Sequence, residues 1–155
     1  MGEFAPALGR IPSGLFIVTL RHDDAEAAML ASWVQQCSFD PPLLSVAVKK
    51  GRDVGAWLTE ATAFAINILA EGQSSTVSHF AQGRTLRDPP FDLAGVERAA
   101  TGPPVLSEAL AVLHCEVITN YPTGDHQLFI ARICAGMLRG EGRPWVHIRK
   151  NGLSY

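Results

Sequence analysis

Ser32, Gln35 and Ser38 fall on one short β-type run, Ala31-Ser32-Trp33-Val34-Gln35-Gln36-Cys37-Ser38, which an Asp40-Pro41-Pro42 corner joins to a second run ending in Lys49-Lys50. Hydroxyl and amide side chains, with backbone groups left unpaired at a strand edge, can satisfy the donors and acceptors along one edge of a flat polar ring. Trp33 or Val34 could then pack against that ring. Lys49 and Lys50 can meet an anion attached to it. Taken residue by residue, the same positions also suit an ordinary solvated strand face. The two prolines by themselves only stiffen a turn and end a ladder.

His126 is the second candidate. It closes a turn-rich stretch, Tyr121-Pro122-Thr123-Gly124-Asp125-His126, between two long strand candidates. An imidazole titrates near neutrality and can deliver a proton, whereas a histidine after Gly-Asp can equally be a turn residue held by its aspartate. His79 and Phe80 sit on a helix candidate, where packing is the ordinary role. His22, His114 and His147 lack the spacing of metal ligands, so no metal is assigned. The three cysteines, Cys37, Cys115 and Cys134, are odd in number and far apart. They predict reduced thiols buried on strands in a cytoplasmic protein, not a disulfide framework or a zinc site.

The elements that must position these residues are mostly strands. Gly14–Leu20 is short and β-branched; Ala27–Ser38 returns from a polar turn at 21–24. Leu43–Val48 is apolar on both faces and predicts a buried strand. Asp53 can cap a helix running to about Glu60 with Val54, Trp57 and Leu58 inward, and Ser74 or Ser75 a second one to about Gln82. Phe64–Leu69, Ala109–Asn120, Gln127–Leu138 and Pro144–Arg149 read as further strands, and Arg84–Gly95, with Pro89-Pro90, as an irregular excursion. Many turn-punctuated strands with two short helices between them predict a nearly closed antiparallel barrel. No GxGxxG follows a strand and no GxxxxGK[ST] occurs, so Rossmann and P-loop nucleotide sites find no support.

At 155 residues, 47% hydrophobic and 18% charged, the chain predicts one domain over 1–155 with a real core. A net charge of −2 gives no basic stripe for nucleic acid. The apolar runs are too short to span a bilayer, and no charged segment followed by an apolar one opens the chain as a signal peptide would.

Five motifs in order carry a resemblance. They are Ser13-Gly14-Leu15-Phe16-Ile17-Val18-Thr19, then Met29-Leu30-Ala31-Ser32 with Ser38-Phe39-Asp40-Pro41-Pro42 and Val48-Lys49-Lys50, then Phe64-Ala65-Ile66-Asn67-Ile68-Leu69, His79-Phe80-Ala81 and Gly124-Asp125-His126. Together they resemble the flavin reductase-like, FMN-binding split barrel family. The resemblance implies a mainly β, six- to seven-stranded antiparallel split barrel with two short helices. It implies FMN held by Ala31, Ser32, Trp33, Val34, Gln35, Cys37, Ser38, Lys49, Lys50, Gly51, Arg52 and Phe80, with His126 on the side where nicotinamide stacks. It implies a homodimer, hydride transfer from NADH or NADPH to flavin, and delivery of electrons onward, including to a partner redox protein. The alternative is a non-catalytic FMN-binding electron carrier serving such a partner; a split-barrel module of the pyridoxamine-phosphate-oxidase kind fits the Ser-Phe-Asp-Pro-Pro and Gly-Asp-His pair less well. Hydride transfer needs two stacked rings at the right distance and no protein acid-base pair, which accounts for the lack of a triad. Two departures stand out. Leu30 replaces a common threonine, and Gly51-Arg52-Asp53-Val54 replaces a loop in which serine and threonine reach the phosphate. Arg52 and the helix start beyond it supply donors in their stead.

Overall fold

The computed structural model describes residues 2–92 and 95–154. A one-turn helix α1 (Ala5–Leu8) precedes β1 (Phe16–His22), β2 (Ala25–Ala31), β3 (Val34–Ser38), β4 (Leu43–Lys49), α2 (Asp53–Ala61), β5 (Ala63–Ile68) and α3 (Ser74–Ala81). The short pair β6 (Val96–Glu97) and β7 (Val105–Leu106) then leads to two long strands, β8 (Ala111–Thr123) and β9 (His126–Leu138). The main sheet is antiparallel and seven-stranded, in the order β2-β1-β5-β8-β9-β4-β3.

That order dictates a barrel. β2 and β3 are the two outermost strands, yet only Ser32 and Trp33 separate them in the chain. Laid flat, seven strands would put them about 29 Å apart. Two residues bridge at most about 10 Å. The sheet must therefore curl until its edges meet, and because β2 and β3 do not pair, the meeting line stays a split seam with unpaired backbone along both edges. The expected single strand over Ala27–Ser38 is thus two strands broken at Ser32-Trp33, where the chain crosses from one edge to the other.

Inside the curl lies a core of Val18, Leu20, Leu44, Val46, Phe64, Ile66, Phe129 and Ala131, plugged at one end by Val54 and Leu58 of α2. Only one face of β4 points there. Leu44, Val46 and Val48 are 2% exposed or less while Leu43, Ser45 and Ala47 are half-buried, so the strand alternates where burial on both faces was expected. On the outer face of β1 and β5 a second core gathers Ile17, Ala65, Phe80, Phe91 and Leu106 beneath α3 and the excursion after it; Leu93 and Ala94 of that excursion lie outside the described residues. Asn67 ties this layer down. Its amide donates to the Ile17 carbonyl at 2.9 Å and the Thr19 hydroxyl at 3.0 Å, and its carbonyl accepts the Leu106 N–H at 2.8 Å. With Asn67 and Thr19 at 0% exposure, every polar group in this knot needs the others.

Three local expectations are corrected. Asp53 is the first helical residue and Arg52 the cap position, with no side-chain cap bond; likewise Gln73, not a serine, precedes α3. Strands β8 and β9 run on until only Gly124-Asp125 joins them. Pro122 is tolerated because Thr123↔His126 flanks this two-residue turn and Pro122↔Gln127 falls in the non-hydrogen-bonded position, where its missing N–H is not needed. Residues 144–149 form no strand; they make isolated bridges, Ala70↔Pro144 and Ser13↔His147.

Candidate functional site

Three segments converge at the seam. Ala31 ends β2 opposite Phe16, and the Trp33 carbonyl accepts the Ala47 N–H at 3.0 Å, which fixes the crossing on β4. At the far end of β4, Lys49 pairs with His126, the first residue of β9. The loop after β4 is stitched to the β8–β9 turn: the Lys50 N–H donates to the Asp125 carbonyl at 3.0 Å and the Lys50 ammonium to the Gly124 carbonyl at 2.6 Å. Gly51 follows with φ +85°, a conformation that costs a side-chain-bearing residue energy and lets the chain double back into α2.

Ser32, Trp33, Val34 and Ser38 are half-buried, and Gln35, Lys49, Lys50, Gly51 and Arg52 are exposed. The seam is thus polar and open along Ser32–Gln35 and ends in a cationic loop. Neither Lys49 nor Arg52 has a carboxylate at ion-pair distance among the described residues. Asp53, at the helix start, is exposed and makes no capping bond. This donor set fits a flat heteroaromatic ring with a terminal phosphate: polar edge groups for the ring, cations and a helix start for the phosphate.

His126 is 6% exposed. Its Nδ1 lies 2.6 Å from Asp125 Oδ1, and its ring is 4.7 Å from that of Trp33, tilted by 42°. Because a carboxylate only accepts, Nδ1 carries the hydrogen of this bond. The hydrogen bond from His126, with smaller help from its charge, holds the Asp125 carboxyl below the usual range. Arg149 completes the row, its guanidinium carbon 5.1 Å over the Trp33 ring.

The structure does not bring every expected residue to this place. Phe80 packs in the outer core against His79 and Phe91, with ring centres 4.8 and 5.2 Å away, and is 6% exposed. Cys37 is exposed at a bulge in edge strand β3, and Cys134 is exposed at a bulge in β9, where the extra residue turns outward. Only Cys115 is the buried thiol that all three were expected to be, and burial pushes it up to about 12, which makes it inert. Beside the seam, Val34 and Gln36 line a mostly apolar cavity of about 210 Å³ at the barrel mouth with Phe16, Leu113 and Ile133. Sequence reasoning missed Arg149 and Gln36. Alternation along β3 could have singled out Gln36, whereas nothing local marks Arg149.

Residues 8–152 match the family model described as flavin reductase like domain, so the chain belongs to the flavin reductase-like family. It is 39% identical over 159 aligned residues to Diflavin flavoprotein A 1 of Synechocystis, covering 99% of this chain and 27% of that protein. The chain spans about a quarter of the length of the curated relatives it matches. Among solved structures, an NADH:FAD oxidoreductase of Streptomyces globisporus superimposes with a TM-score of 0.80 at 26% identity, over 92% of this chain and 86% of that one. BorF, the flavin reductase component of a bacterial two-component tryptophan halogenase, gives 0.81 at 30% identity, over 92% and 89%. The fold is the split barrel of the flavin reductases. No helix among the described residues is long and apolar enough to cross a membrane.

Proposed function

We propose that residues 1–155 act as one flavin reductase domain that holds FMN along the split seam and passes a hydride to it from NADH or NADPH. The observation that carries this reading is the seam itself, a polar strand edge at Ser32–Gln35 that runs toward Lys49, Gly51 and Arg52 and is flanked by His126. The bound flavin supplies the hydride-accepting ring. The protein supplies the edge contacts from Ala31, Ser32, Val34, Gln35 and Ser38, the phosphate contacts, and a histidine that can hold or move a proton at Nε2. Lys50 retains donors for a phosphate beyond the one it gives to Gly124. Among flavins, the cationic loop favours FMN. Anaerobic mixing of the FMN-loaded protein with NADH and NADPH should bleach the flavin absorbance; no bleaching with either would refute the reductase reading. FMN should bind more tightly than riboflavin, and Arg52→Ala should weaken FMN by roughly 1.5–3 kcal/mol in a fluorescence titration. Equal affinities for FMN and riboflavin would remove the phosphate role of this loop.

The long diflavin relatives give specific support to a second reading, an FMN-binding electron carrier serving a partner redox protein. NADH bleaching separates the two. The exposed thiols Cys37 and Cys134 suit a reducing compartment such as the cytoplasm.

The domain works as a homodimer in this reading. Phe39, Met137 and Leu138 are 91%, 62% and 75% exposed. Past Ile133, whose N–H donates to the Pro42 carbonyl at 3.0 Å, β9 has no ladder partner on the β4 side among the described residues. Apolar side chains along a free edge favour burial against a second copy across a two-fold axis. Sedimentation at micromolar concentration should give a dimer, and a monomer that still carries flavin would contradict the placement.

A further inference from the structure

We infer that Arg149 is the residue that grips the pyrophosphate of the dinucleotide donor, an inference that rests on the reductase reading above. Residues 143–152 form a strap across the molecule, held by backbone hydrogen bonds at successive points. The Glu71 N–H donates to Arg143, Trp145 to Leu69, His147 and Ser13 to each other, Arg149 to Gly9, and Gly152 to Ala5, over 2.7–3.2 Å. The fit is close at Gly9, where an added Cβ would stand 2.6 Å from the Arg149 carbonyl oxygen. The strap delivers Arg149 to one place, over the Trp33 ring that in turn lies against His126.

What sets Arg149 apart is what its guanidinium lacks. The other half-buried arginines are matched with carboxylates, Arg21 with Glu26 and Arg139 with Glu97. Arg149 is half-buried too, yet among the described residues its guanidinium has neither a carboxylate nor a carbonyl acceptor. Its flat face lies on Trp33, which leaves the N–H groups in the guanidinium plane available to an incoming anion. In a dihydronicotinamide dinucleotide the pyrophosphate hangs one ribose away from the ring. A nicotinamide stacked beside His126 therefore carries that anion into the neighbourhood of Arg149. In the reductase reading the flavin phosphate is served by Lys49 and Arg52 of the loop after β4, a different segment from the strap that carries Arg149, so the two anions find separate cations.

The test uses FMN-loaded protein and anaerobic stopped-flow reduction by two donors, NADH and N-benzyl dihydronicotinamide, which has the same reacting ring and no phosphate. Arg149→Gln keeps a stem over Trp33 while removing the charge; Arg149→Lys keeps a charge without the fork. The glutamine variant should need roughly ten- to a hundredfold more NADH for half-saturation, the usual worth of a charged hydrogen bond. Its saturating rate, its FMN affinity and its rate with the benzyl donor should stay close to wild type, and lysine should restore part of the loss. An unchanged NADH requirement would overturn the inference. Equal slowing with both donors would overturn it too, showing that Arg149 acts only by holding Trp33. Weakened FMN binding would assign Arg149 to the flavin phosphate instead. Wild-type protein that takes a hydride from neither donor would sink the reductase reading itself, and that result is readable before any variant is made.

Discussion

Replacing His126 with alanine should slow reduction of bound FMN by NADH roughly ten- to a thousandfold, the combined loss of proton delivery and positioning, while leaving FMN affinity nearly unchanged. The expectation rests on how firmly this ring is placed. His126 opens β9 opposite Lys49, its Nδ1 is held by Asp125 at 2.6 Å, and Trp33 covers it at 4.7 Å between ring centres. A side chain held at these three points keeps one orientation. The Asp125 carboxyl is held below its usual range chiefly by that hydrogen bond, so the pair persists through neutral and mildly acid pH and loosens only as pH falls through the lowered value. Its contribution to stability is complete above the ordinary carboxylate range and is lost as pH falls through the lowered value. A histidine that merely closed the turn would make the opposite forecast: a less stable variant with an unchanged reduction rate. Stopped-flow traces of His126→Ala at saturating NADH separate the two, and a wild-type rate would end the catalytic reading.

Most of the strand content was legible because each strand carries its own period and punctuation. β1, β4, β5, β8 and β9 all fall within a few residues of where apolar runs and turns place them. The break between β2 and β3 was hidden, since the β-type pattern runs unbroken through Ser32-Trp33 and only the return of the far edge forces the chain out of the ladder. Pro122 misled for a related reason: its fitness in a strand depends on which side of the hairpin pair it occupies, and that is set by the turn length. The site divides the same way. The cationic loop, the seam residues and the Gly124-Asp125-His126 turn are contiguous motifs and could be read directly. Phe80 could not be placed, because whether a helical phenylalanine faces a ligand or a core depends on the excursion that folds over it. The meeting of Arg149 with Trp33 joins the two ends of the chain, and no local pattern records it.

Glu26 is one carboxylate that fastens that excursion, and Glu26→Ala should show how much depends on it. The Glu26 side chain is 4% exposed. It accepts from Arg98 Nε at 2.7 Å and Nη2 at 3.1 Å, with Arg87 at 3.6 Å and Arg21 at 3.8 Å, while Arg21 also donates to the Ala99 carbonyl at 3.2 Å. Three guanidinium groups around a single carboxylate tie the start of β2 to residues 87–99. Removing Glu26 leaves like charges facing one another with no anion between them. The Glu26 side chain is buried, but its three guanidinium partners keep 22%, 26% and 67% of their side-chain exposure, so the expected loss is that of charged hydrogen bonds, about 1.5–3 kcal/mol, below the cost of breaking a fully buried pair. The hydrogen bond from Arg98 lowers the Glu26 carboxyl against the opposing effect of burial, and the charges of Arg98, Arg87 and Arg21 add to it. A group whose folded value lies below its unfolded one stabilises fully above the ordinary carboxylate range and loses that contribution as pH falls through the lowered value. Urea unfolding should therefore separate wild type from Glu26→Ala widely at neutral pH and bring the two together in strong acid. Proteolysis should cut the variant first between 87 and 99, because that segment is held to β2 by this cluster. A neutral-pH difference below about 0.5 kcal/mol, the range of an ordinary surface substitution, would show that the outer core alone fastens the excursion.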